Sequence, residues 1–171
     1  MRWILVTLLA ALCACRADLA VSPPREQRTT LDPTALGPFV RMNQINAERH
    51  LVSGVYQLED NAWRWCAGRA ALRLRLGPVD NLKFVMRYSV PVQVMQRAGA
   101  VRLRILLNGK LWEETRYDKD GIYEIDKPVP ANLLLPNADN HVTIEIDKPL
   151  PPDAGRPEYG FILVHAGFQP A

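Results

Sequence analysis

Val101-Arg-Leu-Arg-Ile-Leu-Leu107-Asn-Gly109-Lys-Leu-Trp112-Glu113 is the stretch that decides the fold class. From Val101 to Leu107 apolar side chains alternate with Arg102 and Arg104, the period of a strand with one buried and one wet face. Asn108-Gly109 supplies the positive φ angles of a two-residue hairpin turn. A tight turn there sets Arg104 opposite Glu113 and Ile105 opposite Trp112 on the returning strand.

The same period recurs on both sides. Ala71-Leu-Arg-Leu-Arg-Leu76, Leu82-Lys-Phe-Val-Met-Arg-Tyr88 and His141-Val-Thr-Ile-Glu-Ile146 alternate, and Tyr159-Gly-Phe-Ile-Leu-Val164 is densely apolar. Arg73, Arg75, Lys83, Arg87, Thr143 and Glu145 fall on the polar set, so Leu72, Leu74, Leu76, Leu103, Ile105, Val142, Ile144 and Ile146 form the expected core. Gly, Pro, Asn and Asp separate the runs, and Asp120-Gly121 is a second turn signal. About eight or nine strands with no long helical pattern predict an all-β fold, a single antiparallel β-sandwich of jelly-roll-like form. Phe39 to His50 reads equally as a short helix or a first strand. Glu124-Ile-Asp-Lys-Pro-Val-Pro130 recurs as Glu145-Ile-Asp-Lys-Pro-Leu-Pro151, and each copy reads as a strand whose ladder proline ends, on one rim of the sheet.

The N-terminus carries a different signal. Arg2 precedes an apolar stretch, Trp3 to Ala14, too short for the roughly 20 residues a bilayer crossing requires. It closes in Leu12-Cys13-Ala14-Cys15, which resembles a bacterial lipobox and predicts diacylation of Cys15 as the new N-terminus. Cys13, where Ala, Ser or Thr is commoner, keeps ordinary cleavage after Ala14 open. Residue 16 is Arg rather than the Asp that retains lipoproteins at an inner membrane, which favours the outer membrane. The expected organisation is a signal peptide over 1–14, a lipid-anchored flexible tether over 15–38 with prolines at 23, 24, 33 and 38, and a β-sandwich domain over 39–171.

Composition sets limits on partners. Of 171 residues 48% are hydrophobic, enough for one core, and 21 Lys plus Arg stand against 18 Asp plus Glu. Loss of Arg2 with the signal leaves 20 against 18, a balance with no single-sign field for a nucleic-acid backbone. With Cys13 removed and Cys15 acylated, Cys66 remains, in an apolar strand, as a small core residue rather than a nucleophile.

Few residues carry a chemical signal. Glu124 with Asp126, and Glu145 with Asp147, are spaced as paired carboxylates at i, i+2, yet solvated strand faces look the same and Lys127 and Lys148 stand beside them. Asp118, Asp120 and Gly121 resemble part of a calcium loop whose later ligands are missing. His50, His141 and His165 have no zinc-ligand spacing, and nucleophile-elbow and phosphate-loop motifs are absent. No metal and no cofactor is therefore expected. Trp63 and Trp65 share one face of a strand with Arg64 on the other, and Tyr56 and Trp112 are expected near them. Such indoles either fill the core or form a platform on which sugar rings stack.

Gly54-Val-Tyr-Gln-Leu-Glu-Asp-Asn-Ala-Trp-Arg-Trp65, Leu107-Asn-Gly109, Asp120-Gly121, Val129-Pro130 and Arg156-Pro-Glu-Tyr-Gly-Phe-Ile-Leu-Val-His-Ala-Gly-Phe168 together resemble a bacterial envelope domain. That domain is a jelly-roll, carbohydrate-binding-like module, also appended to some membrane glycosyltransferases. Cys66 departs from it, Thr being usual there. The resemblance implies a sandwich over roughly Leu51 to Phe168 and brings no ligand with it. The resulting expectation is a lipid-anchored, non-enzymatic envelope module that binds a glycan or a protein partner, with Trp63, Trp65 and Tyr56 as candidate ligand residues. The alternatives are a structural component of an envelope assembly, and a secreted hydrolase built on the four strand-end carboxylates.

Overall fold

Alternation does form strands here. In the computed structural model, which describes residues 35–153 and 155–171, β1 (Phe39–Arg41) leads through a one-turn helix α1 (Ala47–His50) into β2 (Leu51–Glu59) and the long β3 (Trp63–Arg75). β4 (Leu82–Val90) is followed by a short helix α2 (Val92–Ala98), β5 (Val101–Leu107), β6 (Lys110–Tyr117) and β7 (Gly121–Pro128). A 3₁₀ turn (Ala131–Leu133) precedes β8 (Asp139–Ile146) and β9 (Phe161–Pro170). The ambiguous Phe39–His50 segment holds both a strand and a helix. Tyr159, expected inside the last strand, instead makes an isolated bridge to Leu150, and β9 begins two residues later. The predicted signal peptide, Cys15 and the tether up to residue 34 lie outside the described residues.

Pairing is antiparallel throughout, in the order β6-β5-β8-β3-β9-β4-β7, with β2 added to β3 and β1 to β9. β3 joins the halves because its two ends have different neighbours. Arg69–Arg75 pairs with β8, whereas Arg64–Cys66 pairs with Phe161–Leu163 of β9. The sheet then curls until its far strands meet across the interior. Trp112 of β6 packs edge-on against Phe84 of β4 at 5.6 Å, and Tyr117 of β6 lies 4.2 Å from Tyr123 of β7 between ring centroids. Lys127 of β7 donates to Glu113 of β6 at 2.8 Å. The result is the expected antiparallel β-sandwich.

Leu72, Leu74, Leu76, Leu103, Ile105, Val142, Ile144 and Ile146 are all buried in one cluster with Phe84, Met86, Tyr88, Phe161 and Phe168. Each such side chain contributes about 1.5–3 kcal/mol by leaving water. Cys66 is among them, and burial pushes its thiol well up, so it stays protonated and inert. The β5–β6 turn has the expected left-handed pair, Asn108 at φ 50° and Gly109 at φ 82°. The register beyond it differs. Leu106 pairs with Leu111, but a bulge then sets Ile105 opposite Glu113 and Arg104 opposite Glu114. One extra residue, Trp112, is accommodated in β6, where its ring reaches Phe84.

Candidate functional site

Strand parity decides where the tryptophans go. β3 runs without interruption from Trp63 to Arg75, and Leu72 and Leu74 face the core, so the even-numbered set Arg64, Cys66 and Ala70 is buried with them. Trp63 and Trp65 therefore stand on the outer face, half-buried. The sandwich buries an arginine and leaves two indoles toward solvent.

A buried guanidinium requires partners, and this one spans three segments. Arg64 Nε donates to the Met42 carbonyl at 3.2 Å and Nη1 to the Tyr56 carbonyl at 3.0 Å. Nη2 lies 2.6 Å from Glu48 Oε1, whose own side chain is exposed. Arg64 thereby ties α1 and its preceding loop to β2, beside the aromatic face of β3.

The rings on that face form a row. Trp63 meets Trp65 edge-on at 6.1 Å. Trp65 stacks on Tyr159 at 4.6 Å with 24° between planes, and Tyr159 meets Tyr56 edge-on at 5.6 Å. Tyr56 Oη donates to the Glu158 carbonyl at 2.9 Å, fixing its ring from β2. Burial and then the Glu158 carboxylate push the Tyr56 phenol up, so it keeps its proton at neutral pH. Beside the row lies a groove of about 670 Å³, with Tyr56, Leu58, Trp65, Pro157 and Tyr159 as apolar walls and Glu48, Gln57, Glu59 and Arg64 as polar ones. Flat apolar surface edged by carboxylates, an amide and a guanidinium suits a ligand with apolar faces and many hydroxyls.

The structure thus brings together Tyr56 and Trp65 of the three candidates, with Trp63 at the end of the row. Trp112, expected nearby, packs on Phe84 at the β6–β4 contact instead. Tyr159 carries almost no site signal in the sequence. It follows a proline-rich loop far along the chain, and its only local signal was an aromatic residue next to Gly160, where a Cβ would come within 2.6 Å of the Ala67 carbonyl oxygen. That close approach draws the segment onto β3.

The other sequence candidates do not assemble. Asp126 pairs with Lys83 at 2.9 Å and Glu124 with Arg87 at 3.3 Å. Glu145 pairs with Arg69 and Arg104, and Asp147 accepts the Arg102 amide N–H at 2.8 Å. His50 is buried, His141 is exposed on β8, and the His165 ring packs against Phe39 at 5.3 Å. Among the described residues no group of three or more His, Cys, Asp or Glu side chains is placed to hold a metal ion.

No protein-family model matches the chain, and no curated protein does. Among solved structures it is similar to the Podospora anserina GH26-CBM35 β-(1,4)-mannanase, with 12% identity, 78% of this chain and 27% of that one covered, and a TM-score of 0.45. It is also similar to the acetyl xylan esterase Est2A of Butyrivibrio proteoclasticus, with 8% identity, 80% and 34% covered, and a TM-score of 0.45. The carbohydrate-binding module CBM36, in complex with calcium and xylotriose, gives 7% identity, 77% and 98% covered, and a TM-score of 0.42. The chain spans about a third or less of the first two proteins.

Proposed function

We propose that this chain is a lipid-anchored, non-enzymatic module of the cell envelope that binds a glycan in the groove beside Trp65. The observation that carries the reading is the Trp65–Tyr159 stack on the outer sheet face, half-buried, with Tyr56 held edge-on beside it. Sugar rings have apolar C–H faces that stack on such surfaces, and Glu48, Gln57 and Glu59 are placed to accept or donate hydrogen bonds to hydroxyls. The engagement of all four strand-end carboxylates in ion pairs or amide hydrogen bonds supports a binding role over hydrolysis. The lipobox-like Leu12-Cys13-Ala14-Cys15 supports the anchor.

Affinity electrophoresis of the full chain in detergent, through gels containing xylan, mannan, β-glucan or peptidoglycan fragments, tests the binding. At least one polysaccharide is expected to retard the chain, and Trp65→Ala to abolish the retardation without loss of fold. Free migration through every gel would end the glycan reading. For the anchor, mass spectrometry of the mature N-terminus is expected to find acylated Cys15; an unmodified Cys15, or another start, removes the lipoprotein part alone. A protein partner is the second reading. It is favoured by Leu111 and Ile122, which stand 57% and 66% exposed on β6 and β7.

A further inference from the structure

The row of rings does not stop at Trp65. On its far side, Trp63 belongs to a second and mostly apolar groove of about 370 Å³, shared with Ile122, Ile162, Val164, Ser89 and Arg87. Cross-strand register puts this groove on the same sheet face as the first. Trp65 of β3 is the direct partner of Ile162 of β9, Ile162 of Ser89 of β4, and Ser89 of Ile122 of β7. Direct partners share a face, so one row of side chains crosses four strands from the Tyr159 stack to Ile122. At 4.7–4.9 Å per strand it extends roughly 14 Å beyond Trp65.

We infer that the glycan is a linear chain, not a terminal sugar, and that it lies across the strands from the Tyr56–Tyr159–Trp65 groove over Trp63 onto the Ile162–Ser89–Ile122 row. The inference rests on the proposed function and adds the form of the ligand. A terminal sugar needs one enclosed pocket that covers it on several sides. Here two open grooves flank a pair of indoles, Ile122 is 66% exposed at the far end, and the walls change from acidic beside Trp65 to apolar beyond Trp63. Successive sugar faces of one chain fit that order: hydroxyl contacts at Glu48, Gln57 and Glu59, then stacking, then apolar contact with the Ser89 hydroxyl and the Arg87 guanidinium at its edge.

Calorimetric titration of the full chain in detergent with xylo-, manno-, cello- and N-acetylchito-oligosaccharides of two to six units tests this. Affinity in the series that binds is expected to rise about tenfold between the trimer and the hexamer, the gain of one further stacked ring with its flanking contacts. Trp63→Ala is expected to remove that gain. Ile122→Ser, at an exposed position that leaves the core intact, is expected to remove part of it, whereas Trp65→Ala weakens every length. Equal affinity for trimer and hexamer, or a Trp63→Ala chain that still discriminates them, overturns the linear-chain inference and leaves the glycan reading standing. Absence of binding in all four series overturns the linear-chain inference, and free migration through every polysaccharide gel as well overturns both.

Discussion

His50 is buried at the end of α1 with Nδ1 donating to the Arg73 carbonyl at 3.0 Å, which makes Nε2 the unprotonated ring nitrogen, and Nε2 has no hydrogen-bond partner. Burial, with the Arg73 guanidinium adding to it, holds the imidazole below its ordinary value, and the carbonyl contact only partly opposes this. His165 shifts the same way through burial and then Arg41, with Arg87 adding and Glu124 opposing. The unfolded chain takes up protons near pH 6.5 and the folded chain at lower pH, so stability is complete above about 6.5 and declines as pH falls toward the folded values. Urea midpoints at pH 7.5 and pH 5 are expected to show this loss, with a smaller drop in His50→Gln, which cannot take up that proton. Identical drops in both chains would show that His50 contributes nothing to it. Arg64 is the other buried polar group beside α1, and all three of its guanidinium nitrogens have partners. Its place was legible: counting back by twos from Leu72 puts Arg64 inside and Trp63 and Trp65 outside. The small residues Ala67, Gly68 and Ala70 between Trp65 and Ala71 interrupt the apolar alternation and conceal that the two runs are one strand.

At the scale of the element, β5 gives the cleanest test of facing. Ile105 is fully buried between β6 and β8, while Arg104 beside it is exposed and lies 3.7 Å from Glu145. Ile105→Ala is expected to cost about 2–5 kcal/mol through lost burial and the cavity left behind. Arg104→Ala, on a solvent-screened pair, should cost well under about 1 kcal/mol. Chemical denaturation compares the two, and equal small losses would refute the facing of the strand. The same element shows how far a turn signal reaches. Asn108-Gly109 set the hairpin and its first pairs, but the bulge beyond Leu106 moved Glu113 from Arg104 to Ile105. Nothing local marks that bulge. It exists because the Trp112 ring packs against Phe84 of β4, a residue distant in sequence.

Across the molecule, β3 is hydrogen-bonded to both halves of the sheet and one hydrophobic cluster serves both, so neither half has a separate core. Unfolding is therefore expected to be a single cooperative transition, with tryptophan fluorescence and far-UV circular dichroism giving the same denaturant midpoint. An earlier fluorescence midpoint would mean that the β2–β3–β9 face loosens by itself. The sequence alone determined the all-β class, the set of core residues on β3, β5 and β8, and the hairpin at Asn108-Gly109, because alternation and positive φ are properties of a few consecutive residues. It singled out Trp63, Trp65 and Tyr56, and strand parity puts the two tryptophans outside once Trp63–Arg75 is known to be one strand. Only the tertiary structure decided that β3 divides its pairing between β8 and β9, that Trp112 leaves the aromatic group, and that Tyr159 stacks on Trp65. Those outcomes depend on which distant strands compete for one edge and which rings then meet, and a period of two is blind to both.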